Sequence, residues 1–438
     1  MRAFTTSAFL LVLASAGLAQ ETPIDLAEAR RGFEAARRAS EADGGRLWGV
    51  ELYGPVFVVD RSSRFVVADR PAPEGGLVER EGVWVGTLPE SINPANSATE
   101  WGGLRWTMLL WPTPSLPHGR NQIYLHEMFH RVQSDAGLPA NDPANAHLDT
   151  RDARIWLRLE MRALATALVA EGETRRAAVE DALAFRAHRR GLFLGAAADE
   201  DALERNEGMA EYTGLVLSGL PERVLADRAA VGLDGRDLSE SFARSFAYAT
   251  GPALGVLLDE SGAEWRRDLV DGASLGDLLA RAYRIPDSPL GAELRGGPYG
   301  GERVVLQETR REERHLARLA DYRARLVEGP VLRLAPDSEF RFSFDPNDAV
   351  AMDGLGTVYG SSRVTDVWGV LEVDAGGALF LRNEQGWITG VLVPAPADVG
   401  VPPTAGEGWS LALAEGWRVV PGERAGDWVV QRSEAGGG

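Results

Sequence analysis

The sequence predicts an α+β fold in two parts, and three observations carry that expectation. Alternating and β-branched runs fill the first stretch up to about Trp111, helical periodicity takes over from about Arg120 to Glu328, and Val-, Trp- and Gly-rich strands return after Gly329-Pro330. The expected division is therefore a leader at 1–19, a mixed domain at 20–329 and an all-β domain at 330–438.

The leader, "MRAFTTSAFLLVLASAGLAQE", sets Arg2 before an apolar run from Ala8 to Leu13 and small residues at Gly17 and Ala19. This is the layout of a secretory signal cleaved after Ala19, so the mature chain is expected to be secreted or periplasmic. A lipoprotein is excluded because the chain has no cysteine to acylate, and no later stretch is long and apolar enough to span a membrane.

"IDLAEARRGFEAARRASEADGG" (24–45) reads as an amphipathic helix stopped by Gly44 and Gly45. From "LWGVELYGPVFVVD" to "GLRWTMLLWPTP", strand runs broken by Gly, Pro and Ser predict a meander of about five strands. "RIWLRLEMRALATALVAEG" and "RRAAVEDALAFRAHRRG" read as a helical pair, and a further helix runs from near Asp199 to Gly219. In the β-rich end, "GLGTVYG" (354–360) lacks a phosphate-loop spacing and reads as a turn.

Composition narrows the chemistry. All 46 basic residues are arginine, the net charge is -18, and there is no cysteine. A polyanionic partner such as nucleic acid would be repelled, and thiol nucleophiles, Schiff-base lysines and thiolate-bound metals are excluded outright. The arginine-only set is read as codon bias rather than function.

Against that background "IYLHEMFHRVQ" stands out, because the chain has only 6 histidines and this segment places His126 and His130 four residues apart on a predicted helix. Leu125, Met128, Phe129 and Val132 make the apolar stripe, which leaves the two imidazoles together on another face, spaced to meet one tetrahedral Zn2+. Glu127 stands beside them, where a carboxylate can take a proton from an activated water. A third protein ligand is still needed. Gln133 and Ala136 exclude the HExxHxxGxxH completion. In "ALERNEGMAEYTGLVLSG", Glu207 and Glu211 lie four apart on one helix, so Glu207 is assigned as the third ligand, and Glu211 as acceptor for the free ring N–H of a ligand histidine. Glu160, His147 and His118 are the other candidates for the third position.

"HEMFH" followed by "NEGMAEY" resembles the gluzincin metallopeptidases, whose thermolysin-like and aminopeptidase-N-like members pair HExxH with a glutamate on a second helix and an acid four residues later. The resemblance covers about Trp101 to Gly262. It implies a zincin-like domain, an N-terminal sheet followed by active-site helices. It also implies zinc on His126, His130 and Glu207, Glu127 as general base, and Glu211 behind a ligand histidine. The stretch between His130 and Glu207 is longer than in those families, and the helical pair fills it. "SFAYATGPALGVLLDE" resembles the tyrosine-bearing helix of aminopeptidase-N-like enzymes, which implies that Tyr248 stabilises the oxyanion; Tyr212 is the alternative. The strand "GLRWTMLLWPTP" is expected to offer an edge to an extended peptide, a core strand being the competing reading.

A rival motif, Gly272-x-Ser274-x-Gly276, matches a serine-nucleophile elbow, but "GAEWRRDLVD" before it reads as a charged helix, so Ser274 is expected to cap the next helix. The sequence thus points to an exported zinc metallopeptidase acting on a peptide or protein substrate. The alternative is a non-catalytic envelope-binding protein with a structural or vestigial zinc site.

Overall fold

Local sequence sets the first elements. In helix α1 (Leu26–Asp43) the Asp25 carboxylate accepts from the Glu28 amide, and Gly44 ends it at φ 59°, a left-handed conformation that glycine adopts at no steric cost. This is a computed structural model, and it describes residues 22–286, 291–344, 348–352, 354–396 and 404–433; the proposed leader at 1–19 lies outside them. The chain divides into two compact units, Met1–Gly301 and Glu302–Gly438. Both helix and strand are abundant, so the protein is of mixed α and β structure, with three sheets among the described residues.

In the first unit six strands form one sheet: β1 (Val56–Asp60), β2 (Phe65–Ala68), β3 (Leu77–Arg80), β4 (Val83–Thr87), β5 (Ser97–Trp101) and β6 (Leu104–Trp111). Their order is β3-β4-β2-β1-β6-β5, and β1 runs parallel to β6. The sheet is therefore no plain meander. For "GLRWTMLLWPTP" the outcome is divided. β6 pairs with β1 over Thr107–Trp111 and with β5 over Leu104–Met108, so it is a core strand at Thr107 and Met108, while from Leu109 to Trp111 no strand lies on its β5 side among the described residues and the Leu110 amide donates to the Asn96 side chain. The run "VFVV" in β1 is fully buried at every position, as a strand covered on both faces must be. Phe57, Val59, Trp106 and Met108 pack on one face, while Val58 and Leu109 are buried on the other.

α2 (Pro117–Val132) lies against β5 and β6. Pro117 stands in its first turn, where a missing N–H costs nothing. Leu125, Met128 and Phe129 are fully buried, as the apolar stripe predicts. The helical pair is α3 (Arg151–Val169) and α4 (Gly172–Leu192). Next comes a continuous helical rod: α5 (Ala196–Leu203), a single π turn over Glu204–Gly208, and α6 (Met209–Val216). α7 (Leu225–Arg236) and α8 (Ala247–Glu260) follow, then the short α9 (Arg266–Val270), α10 (Leu275–Tyr283) and α11 (Ala292–Arg295). α6 packs on α2 and on α8, and its Thr213 hydroxyl accepts from the Trp48 indole at 2.8 Å.

Two helix crossings are made by glycine. A Cβ on Gly214 would strike the Gln122 carbonyl oxygen, so α6 and α2 touch backbone to backbone. A Cβ on Gly251 would lie 2.7 Å from the Gly208 carbonyl carbon and 2.8 Å from its oxygen, so α8 crosses the π turn just as closely.

The second unit opens with α12 (Gly301–Arg323), continued by a π turn over Ala324–Glu328. Strands follow in a seven-stranded and a five-stranded sheet. Leu332, Leu334, Phe380 and Val391 pack with Val364, Leu371, Trp409 and Leu411 of the five-stranded sheet in one core. Tyr322 and Leu326 cover the seven-stranded sheet at Val331, Val350, Val358 and Leu379. The end of the helix and the π turn after it pack on those strands through Tyr322 and Leu326, and the two compact units divide at Gly301-Glu302, where the sequence led to Gly329-Pro330. "GLGTVYG" is likewise corrected: only its start turns, and Gly356–Tyr359 is a strand paired on both sides.

Candidate metal centre

His126, Glu127 and His130 come from one turn of α2, the first two buried and His130 half-buried, and Glu207 from the π turn that packs against α8. The Nε2 atoms of His126 and His130 are 3.2 Å apart. Glu207 Oε2 lies 3.5 Å from the first and 3.4 Å from the second. Three donors bound to one tetrahedral ion at roughly 2.0–2.1 Å would be spaced by about 3.3–3.4 Å, which is the triangle found.

Both imidazoles are oriented from behind. His126 Nδ1 is 2.8 Å from Glu211 Oε2, and the other oxygen of Glu211 accepts from the Gln122 amide at 2.7 Å. A carboxylate can only accept here, so Nδ1 carries the hydrogen and Nε2 keeps its lone pair. His130 Nδ1 is 2.8 Å from Gln133 Oε1. The Gln133 amide nitrogen faces the backbone carbonyls of Arg205 and Asn206, which fixes its oxygen toward His130 and assigns that ring the same tautomer. Two lone pairs then face each other across 3.2 Å, an arrangement that requires a positive charge between them.

The surrounding field agrees. Burial alone would lower His126, but hydrogen bonds to Glu207 and Glu211 and the charge of Glu127 outweigh it and push its pKa up to about 10. Glu207 is held well below the usual carboxylate range despite its burial, by the two histidines. Glu127 is shifted upward by burial, against the two imidazoles that favour its charged form. The field that favours a proton on His126 equally favours a dication between the three atoms, and the donor set, two imidazoles and a carboxylate, suits zinc.

Tyr248, in the first turn of α8, stacks on His126 with ring centroids 5.7 Å apart and planes 9° apart. Burial and the neighbouring Glu207 carboxylate raise its pKa, so the hydroxyl stays protonated and can donate. Arg244 donates to Glu207 Oε1 at 2.6 Å and also pairs with Asp142, which leaves Oε2 as the oxygen turned to the histidines.

The other sequence candidates lie elsewhere. Glu160 is buried in an ionic cluster, accepting from Arg186 at 2.8 Å and from Arg189. Arg189 also binds Glu200 and Arg186 binds Glu204, whose oxygen accepts from the Thr250 hydroxyl at 2.6 Å. His147 faces Glu200 at 3.0 Å. His118 sits two turns before His126 on α2, roughly 12 Å along the axis. Tyr212 is fully buried with its hydroxyl on Asp259 at 2.5 Å. Ser274 accepts from the Asp277 amide at 3.1 Å and caps α10; a helix, α9, precedes it where an elbow needs a strand.

Sequence reasoning missed Gln133 and Arg244. Gln133, three residues after His130, carried a findable signal in its position one turn along the same helix; Arg244 is remote in sequence from every ligand candidate and carried none. Comparison with protein-family models, with curated proteins and with solved structures returned no match.

Proposed function

We propose that the protein is an exported zinc metallopeptidase with a gluzincin-type site in a zincin-like domain. The observation that supports this most is the triangle of His126 Nε2, His130 Nε2 and Glu207 Oε2, with sides of 3.2, 3.4 and 3.5 Å, beside the buried carboxyl of Glu127.

Zinc bound by those three atoms would supply Lewis acidity toward a peptide carbonyl and lower the pKa of a water. Glu127, whose oxygen lies 3.9 Å from His126 Nε2, takes the proton of the attacking water and delivers it to the departing nitrogen. Burial raises its proton affinity, which suits a group that must accept and then return a proton. Tyr248 donates its hydroxyl hydrogen to the oxygen on which negative charge develops. Glu211 and Gln133 hold the imidazoles in the required tautomer and orientation.

The test is a zinc assay of the purified mature chain together with digestion of a mixed peptide library. About one zinc per chain is expected, lost in His126→Ala and retained in Glu127→Gln, with turnover lost in both. Zinc without any cleavage would favour the structural or vestigial alternative. Cleavage by Glu127→Gln within a few-fold of the parent would remove the base from the mechanism.

A further inference from the structure

Resting on that peptidase reading, we infer that the site takes substrates bearing a carboxylate within about three residues of the cleaved bond, recognised by Arg236. The Tyr248 ring, stacked on His126, has a second neighbour: the Arg236 guanidinium, 5.8 Å from its centroid. Arg236 is the last residue of α7 and is exposed. Among the described residues it has no carboxylate partner, although this is an acidic chain of net charge -18.

The acid beside it and several others of this helical region are already engaged. Asp237, next in sequence, is held by Arg158 and Arg162 through four hydrogen bonds. Glu207 and Asp142 are held by Arg244. Asp149 accepts from the Ser241 hydroxyl and the Phe242 amide. A cation held over an aromatic ring beside the metal site, with Asp237 committed to two other arginines, is available to an anion from outside.

Distance sets which anion. Arg236 and His126 both contact the same ring, so the guanidinium lies no more than about 12 Å from the imidazole, and an extended peptide advances about 3.3 Å per residue. The reach is therefore about three residues. The planar guanidinium fork matches a carboxylate in two parallel hydrogen bonds. Two sources present this group, a peptide's own C-terminus and an aspartate or glutamate side chain, and the chemistry at Arg236 is the same for both.

The experiment uses the zinc-loaded mature chain and matched peptides: one sequence with a free C-terminal carboxylate or an amide, and one with Glu or Gln at each of three positions on either side of the cleaved bond. The parent should favour the carboxylate form by about tenfold in kcat/KM, expressed mainly in KM. In Arg236→Gln that ratio should fall to near one, and Arg236→Lys should keep part of it. The C-terminal pair and the Glu/Gln pairs tell which source is used. Binding of acetyl-Ala-Ala as acid and as amide is measured in parallel by calorimetry on zinc-loaded Glu127→Gln, with and without Arg236→Gln. If no peptide is cleaved but the acid binds through Arg236, the peptidase reading fails and the carboxylate site stands. If peptides are cleaved with no carboxylate preference, or if Arg236→Gln keeps the preference, this inference is overturned while the peptidase reading stands.

Discussion

Replacing Gly251 by alanine tests whether the spacing of two helices sets the geometry of the site. The new Cβ would lie 2.7 Å from the Gly208 carbonyl carbon and 2.8 Å from its oxygen, and closer still to the Gly208 Cα, where ordinary contact begins at 3.4 Å. The obstacle is backbone on both sides, so no side chain can swing away, and α8 must lift from the π turn by about 1 Å at a cost of roughly 1–3 kcal/mol. In a domain of this size such a cost lowers Tm by a few degrees. Tyr248 sits one turn before Gly251 on the lifted helix, whereas both histidines sit on α2 and Glu207 on the π turn. Zinc content should therefore persist while kcat falls by about a hundredfold, the penalty of an ångström-scale misplacement of a catalytic group. Metal analysis, thermal denaturation and peptide hydrolysis on one preparation read all three quantities. Parent-like turnover with a normal Tm would refute the reasoning, because the crossing would then tolerate a methyl group; loss of zinc with Tm unchanged would mean that α8 positions a ligand and not the tyrosine.

Glu207→Ala removes the one anionic donor of the triangle and should abolish tight zinc binding, whereas Glu211→Ala should weaken affinity or turnover by roughly ten- to a hundredfold, because the histidine stays but is less well oriented; competition with a chelator separates the two, and the reverse pattern would exchange their roles. Tyr248→Phe keeps the ring stacked on His126 and removes only the donor, so kcat should fall by about 10²–10³ with KM little changed; turnover close to the parent's would withdraw the oxyanion role. Glu160→Gln should leave zinc content intact but cost roughly 3–5 kcal/mol in urea unfolding, because it uncouples Arg186 and Arg189 in the interior; loss of zinc instead would return Glu160 to the ligand candidates.

How far the sequence reveals this molecule follows from the range of each interaction. His126, Glu127 and His130 are legible because helical spacing over five residues is local, and the stripe Leu125, Met128, Phe129 and Val132 orients the turn. Glu211 is legible for the same reason once Glu207 is singled out. The π turn that carries Glu207 is different: it closes where Gly208 meets Gly251, a contact between segments distant in sequence. Likewise nothing within β6 says that β1 will lie parallel beside it, or that β5 will take its other edge, since strand pairing is decided by the whole sheet. The division between the units eludes periodicity too, because α12 reads as one more helix, and only the contacts of Tyr322 at its end and of Leu326 in the π turn after it assign it to the strands that follow.

The ionic cluster around Glu160, Arg186, Arg189, Glu200 and Glu204 bears on how the chain finds its native alignment. Apolar stripes on α3 and α4 repeat every turn, so the two helices could slide by one turn and still bury much of the same surface. These five charged side chains, each no more than 4% exposed, pair correctly in one alignment only. A slipped pair would strand arginines in the interior, and arginine cannot shed its charge to escape the penalty. Hydrophobic burial thus assembles the helices, while the arginines reject wrong registers; Glu204 carries the selected register through Thr250 to α8 and along the π turn to Glu207.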